Sequence, residues 1–286
     1  MPITPAPPTL TPNRRAAILR LLGDDDEDTA GLVQRKLAEI ESPDGLRELR
    51  ALAMGRAANR LDRLIAEVAG READAAFLAH CAAFGEFGDI EEASWLLASA
   101  FLPDEQFIVQ RRMLDDWGAR VASRLSGALD RSARVRVIAE FLGREMRLRG
   151  NEGEYYSLEN SLLPRVIDTR LGIPITLSLV YILVGKRAGL AIDGVGLPGH
   201  FLVRHEDVFF DPFHGGHRVG VEECAALMEQ QNLVLTPRHL LPTTPRQMLL
   251  RTLTNINFVA EQTDPPLAAR TGLWLEALRQ DSDERE

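Results

Sequence analysis

The sequence predicts an α+β protein dominated by helices. Apolar residues recur at three- and four-residue spacing along most of the 286-residue chain, the pattern of amphipathic helices. From Gly194 the period shortens to that of strands, in short apolar pieces separated by turn residues. Just before this change lies Ile173–Val184, an almost continuous apolar run. It is too short for a membrane span, which needs roughly 18 residues, and reads as a buried helix.

The elements follow in order. Residues 1–12 carry five prolines and read as a disordered lead-in. Ile18, Leu21 and Leu22 then mark a helix that ends at Gly23-Asp24-Asp25-Asp26, where acidic residues suit the positive N-terminal end of the next helix. Leu32, Val33, Leu37 and Ile40 continue the apolar face, Ser42-Pro43-Asp44 gives a break with an N-cap, and Leu46, Leu49 and Leu52 follow. Leu61, Leu64, Ile65 and Val68 complete a helical region over residues 13–72, whose short helices fit a repeat-like stack. Further on, Phe77, Leu78, Cys81 and Phe84 share a face, Pro103-Asp104-Glu105 interrupts the chain, and Met113, Leu114, Trp117, Val121 and Leu125 form a core stripe.

Strands are expected at Val195–Leu197, Phe201–Val203 and Val208–Phe210, with a polar turn at His205-Glu206-Asp207 and an edge strand at His217–Val219. Helix returns over Val221–Asn232. The tail reads as a helix pair broken at Asp264-Pro265-Pro266, the first helix carrying Met248, Leu249, Leu253, Ile256, Phe258 and Val259, and the last eight residues read as frayed.

Composition narrows the function. The content is 45% hydrophobic and 26% charged, that of a globular chain. A net charge of −9 argues against a duplex nucleic-acid binder. The one basic segment, Arg131 to Arg149, reads as the solvated side of a helix that buries Val135, Ile138, Phe141, Leu142 and Met146. No membrane partner is expected either. Cys81 and Cys224 give neither metal spacing nor a disulfide framework, which fits a cytoplasmic setting, and both read as buried and inert. The N-terminus has no signal-peptide pattern.

Several blocks are specific enough to carry a family resemblance: Gly150-Asn151, Tyr155-Tyr156, Asn160-Ser161, GIPITLSLVY, GVGLPGHFLVR and DPFHGG. Together they resemble the bacterial SirB-type proteins over about residues 75 to 280. The resemblance implies a papain/transglutaminase-like core over residues 73–240, a helix packed on a small antiparallel sheet. It also implies a short tail over 241–286 like a truncated tetratricopeptide unit. In catalytic relatives a cysteine opens that helix, and a His and an Asp sit on neighbouring strands. Aligned on Gly189, the cysteine position falls near Pro174, the histidine is His200 and the aspartate is Asp211. The expected nucleophile is therefore replaced.

Acyl transfer needs a nucleophile, a base at about 2.6–3.2 Å and a group that fixes the base's tautomer. Thr176 and Ser178 are the hydroxyls near the helix start. Ser178 lies one turn beyond the aligned position, and Thr176 would need a shift in helix entry. The simpler expectation for His200 and Asp211 is a hydrogen-bonded pair that joins two strands or orients a ligand. His200, His214, His217 and Asp211 could gather around a divalent ion, yet two loop histidines beside Gly-Gly are more often solvent-facing. No metal or other cofactor is expected. Gly194, Gly196 and Gly199 lie between strands, so they are no phosphate cradle; Gly199 reads as the turn beside His200.

Tyr155, Tyr156 and Asn160 either line the cleft or pack the helical part onto the core. Tyr155, Tyr156, Asn160, Gly199 and His214 are accordingly the candidate binding residues. The expectation is a non-catalytic module, binding or regulatory, whose partner is a protein or peptide. The alternative is a hydrolase or acyltransferase using Thr176 or Ser178 with His200 and Asp211.

Overall fold

A computed structural model describes residues 11–125, 127 and 130–280. The lead-in through residue 10 and the last six residues of the charged tail lie outside these. The architecture is the mostly helical α+β expected. The described residues fall into two compact units, one running to Ala75 and including Ser99–Asp104, the other comprising Ala76–Ala98 and the chain from Glu105.

The first unit is built from α1 (Pro12–Leu22), α2 (Glu27–Ile40), α3 (Pro43–Leu52) and the leading part of α4 (Gly55–Ala83). Asp26 and Ser42 cap α2 and α3 by accepting from the Asp28 and Gly45 amides, which satisfies amides a helix start leaves unpaired. Leu22, Leu37, Leu46, Leu49, Leu61 and Leu64 form the core. The buried Arg60 donates to the carbonyls of Leu22 and Asp24 at 2.6 and 2.8 Å, closing the end of α1. Leu32, Ile40 and Leu52, expected on the apolar face, are exposed. Leu32 and Leu37 are five residues apart, about 140° around a helix, so one face cannot hold both. The helix α4 is continuous through residues 72 and 73.

The second unit continues with α5 (Ile90–Phe101), α6 (Ile108–Arg124) and α7 (Arg131–Ala139), which passes into a π-helical turn, Glu140–Glu145. There follow β1 (Arg149–Gly150), a 3-10 turn (Leu158–Ser161), α8 (Leu163–Thr169), β2 (Leu171–Gly172) and α9 (Pro174–Arg187). Proline at the first position of α9 presets φ and removes an amide that would have no partner there. Its side chains from Pro174 to Tyr181 are all buried, because it packs against both α6 and the sheet.

The sheet is an antiparallel meander of β3 (Asp193–Leu197), β4 (His200–His205), β5 (Val208–Asp211) and β6 (His217–Val219), in that order. One face (Val195, Leu197, Leu202, Phe209, Val219) packs on Cys224 and Met228 of α10 (Val221–Glu229). On the other face Phe210 meets Tyr181 of α9. His205, expected in the turn, belongs to β4: it is buried and its Nδ1 bonds the Ala191 carbonyl at 2.8 Å. The tail forms α11 (Pro245–Thr263) and α12 (Pro265–Gln280). Buried Arg246 fixes this pair by donating to the carbonyls of Phe84 and Leu278. Phe258, expected with the apolar residues of α11, is exposed, since it lies off the stripe of Leu249, Leu253, Ile256 and Ala260 that faces inward.

Candidate functional site

The site grows from the two inner strands. Gly199 turns the chain from β3 to β4 with φ +74°, a left-handed conformation that favours glycine, and a Cβ there would need the end of the Gln231 side chain, 2.8 Å away, to move aside. The turn delivers His200 to the first position of β4. Its carbonyl accepts from Arg251 Nη2 of α11 at 2.8 Å, and the same guanidinium lies over the Phe201 ring.

His200 Nε2 bonds Asp211 Oδ2, at the end of β5, at 2.7 Å. Asp211 Oδ1 accepts from the Phe213 amide at 2.9 Å, starting a tight loop that brings His214 back. His214 Nδ1 bonds the same Oδ2, also at 2.7 Å. The Asp211 carboxylate, 4% exposed, thus holds two imidazoles and one amide.

Burial is the largest influence on the Asp211 carboxyl and opposes its ionisation; the bonds from His200 and His214 outweigh it and hold the pKa below the usual 3.8. A depressed carboxyl contributes stability that is present above about pH 3.8 and is lost as the pH falls through its lower folded value. Urea unfolding at about pH 5 and about pH 3 should therefore show the advantage of wild type over Asp211→Asn shrinking at the lower pH. A constant gap contradicts the assignment.

The structure joins His200 and Asp211 as expected and adds His214 as a second imidazole on the same oxygen. It does not join either hydroxyl to them. Thr176 Oγ1 is buried with no hydrogen-bond partner, and Ser178 Oγ donates to the Phe201 carbonyl at 3.5 Å, a long contact. Pro174 is buried at the first position of α9. The thiols do not stand in: burial pushes Cys81 up to about 12, and burial, then the charge of Glu223, raises Cys224. Neither is a ready thiolate. Removal of the orphaned hydroxyl by Thr176→Val, which keeps the branched shape, should leave stability unchanged or raise it by up to about 1 kcal/mol. A clear loss in thermal unfolding would mean that the hydroxyl has a partner.

His200, Asp211 and His214 each offer a ligand atom, and these lie within 4.8 Å of one another, so they are the residues that could hold a cation. A carboxylate oxygen only accepts, so both imidazoles bond Asp211 through N–H groups; a cation would need both nitrogens turned to lone pairs. His217 is elsewhere, bonded to Glu223 at 3.2 Å.

Around the pair, Tyr155 and Tyr156 are 37% and 65% exposed. Tyr155 meets Phe213 edge-on at 6.1 Å and Tyr156 at 5.3 Å, and Tyr156 meets Phe258 at 5.9 Å between ring centres. Phe213 in turn lies 6.1 Å from His200. An aromatic ridge therefore runs from the histidine to the surface. Asn160 is buried beneath it: its amide donates to the carbonyls of Glu154 and Tyr155 and its Oδ1 accepts from Asn151, so it holds the tyrosine loop from within. A cavity of about 570 Å³ beside Phe213 and His214 is walled by Gly150, Asn151 and Gly153. The sequence carried no sign of Arg251 or Tyr181 here. Arg251 acts from 51 positions away. The Tyr181 hydroxyl is buried without a partner, and burial, then the charge of Asp211, raises its pKa.

Comparison with known proteins shows the family of the core. The family model of the transglutaminase-like superfamily matches residues 110–254, just over half of the chain, from α6 into α11. A UPF0162 protein of Xylella fastidiosa is 35% identical over 141 residues, 46% of this chain and 50% of that protein. A UPF0162 protein of Pseudomonas aeruginosa is 28% identical over 186 residues, 62% of this chain and 67% of its own length. Mouse F-box only protein 21 is 31% identical over 98 residues, 30% of this chain but 16% of that protein. The chain spans about half the length of the Xylella relatives it matches. No solved structure matches. No described helix is long and apolar enough to cross a membrane. With its core domain matched over residues 110–254, the chain belongs to the transglutaminase-like superfamily.

Proposed function

We propose that this chain is a transglutaminase-like module that binds a protein or peptide segment beside its His–Asp pair without turning it over, as a binding or regulatory protein. The start of α9 supports this most directly. His200 and Asp211 are assembled at 2.7 Å, but the helix opens with Pro174 and its nearest hydroxyl, Thr176, is buried and bonded to nothing. A base and its orienting group without a bonded nucleophile lack the arrangement acyl transfer needs.

The surroundings favour a peptide. Exposed aromatic side chains that form a contiguous patch mark interaction surfaces, and Tyr155, Tyr156 and Phe258 form one that leads to Phe213 and His214. Asn160 and the Gly199 turn would serve it by positioning the tyrosine loop and His200. The SirB-type membership, the tetratricopeptide-like character of α11 and α12 and a cytoplasmic location belong to the same proposal, on the sequence blocks and the two buried, unpaired cysteines. The alternative, a hydrolase or acyltransferase using Thr176 or Ser178, draws on the unpartnered Thr176 hydroxyl and requires α9 to shift so that this group meets His200.

The test is selection of a displayed random peptide library on the immobilised chain, with the Tyr156→Ala/Phe258→Ala double variant as counter-target. The expected peptides bind wild type, lose about tenfold or more in affinity on the variant, and are recovered intact by mass spectrometry. Failure to enrich any peptide, or enrichment indifferent to the ridge, contradicts the binding surface.

A further inference from the structure

The basic segment Arg131–Arg149 touches the site described above only through Gly143 and Arg149, which line the cavity beside Phe213. Two of its arginines, Arg136 on α7 and Arg144 in the π-helical turn, line a second cavity of about 590 Å³. Its opposite wall is the His214–Gly216 turn and β6, which adds Arg218. We infer that this cavity binds a small organic anion carrying at least two negative charges on phosphate or carboxylate groups. The inference stands apart from the peptide-binding proposal.

Charge carries it. Glu140 is the one acidic residue in the lining, against Arg136, Arg144 and Arg218. Among the described residues none of these three arginines has an ion pair, whereas Arg131 of the same segment pairs with Glu206 and Asp207, and Arg120 and Arg124 of the neighbouring α6 pair with Glu145. The two histidines of the wall are already engaged by acids, His214 by Asp211 and His217 by Glu223. In a chain of net charge −9, three guanidinium groups around one hollow without a carboxylate partner leave a local excess of positive charge. A bound anion completes it, and the planar fork of arginine matches phosphate and carboxylate oxygens in pairs.

Shape agrees. Sites for small molecules hold about 300–1,000 Å³, and here Val135 and Ala139 give an apolar floor for an organic body. The wall is fixed from behind: a Cβ on Gly143 would lie 1.9 Å from the Gly215 carbonyl oxygen, so the π-helical turn and the Gly215 turn are in direct backbone contact. π-helical turns occur often at functional sites. A hollow of this size with three arginines fits a compact anion and gives a nucleic-acid backbone no extended track.

Calorimetric titration and thermal unfolding of the full chain with pyrophosphate and with citrate, at matched ionic strength against sodium chloride, test the inference. Wild type should bind at least one of the two and unfold at higher temperature in its presence. Arg136→Gln, Arg144→Gln and Arg218→Gln should each weaken binding about tenfold, while Arg134→Gln, on the same helix but outside the cavity, should not. Tighter binding of pyrophosphate assigns a phosphate ligand and tighter binding of citrate a carboxylate ligand. Binding of neither probe, or equal binding by wild type and all three cavity variants, overturns the inference.

Discussion

Asp211→Ala should lower the stability of the chain by about 2–4 kcal/mol, with urea unfolding as the measurement. The Asp211 carboxylate accepts from His200 Nε2, His214 Nδ1 and the Phe213 amide. Alanine removes every acceptor and leaves the donors behind. A buried donor without a partner costs about 1–3 kcal/mol. His200 is buried and Phe213 half-buried, while His214 is exposed and can turn to water. Two donors therefore set the size of the loss. Asp211→Asn keeps an oxygen for one or two of them and should lose less. A variant within about 0.5 kcal/mol of wild type, the range of ordinary surface changes, would mean that the pair does not tie β4 to β5.

The second large effect is expected at Gly143. An added Cβ would lie 1.9 Å from the Gly215 carbonyl oxygen and 2.5 Å from its carbon. Both are backbone atoms, so no side chain can swing away; the π-helical turn or the Gly215 turn has to move. Overpacking of this kind costs typically about 1–3 kcal/mol, and Gly143→Ala belongs at the upper end. The displaced loop carries His214, so its bond to Asp211 should loosen as well, visible as a change in the His214 imidazole NMR signals. Gly153→Ala is the control. Nothing lies within 4 Å of a Cβ there, and the stability should stay within about 0.5 kcal/mol. Equal behaviour of the two variants would contradict the close approach.

Much of the fold was legible because its signals are local. The apolar run after Ile173 identified α9, since only a helix covered on several sides needs no polar face. The change of period after Gly194 located the strands, and Gly199 and Pro212 marked the strand ends that set His200 and Asp211 side by side. Other features depend on contacts that no local pattern encodes. The π-helical turn keeps the helical spacing of Val135, Ile138, Phe141 and Leu142, and its Gly143 lies against Gly215, 72 positions further along the chain. His214 joins Asp211 because the Pro212–Gly216 loop folds back, and Arg251 reaches His200 from another helix. Leu32, Ile40, Leu52 and Phe258 read as inward-facing because they are apolar, yet all four are exposed; the residues that pack inward on their helices lie at other angles.

The central claim is that the assembled His200–Asp211 pair serves binding in a core without an acyl-transfer nucleophile. The most direct measurement is mass spectrometry of wild type and His200→Ala after incubation with a fluorescent primary amine and a glutamine-containing peptide, following both amine incorporation and peptide hydrolysis. The account predicts no product above the uncatalysed background from either protein. Product formed by wild type and abolished in His200→Ala would contradict it and would point to Thr176 or Ser178 as the group that His200 activates.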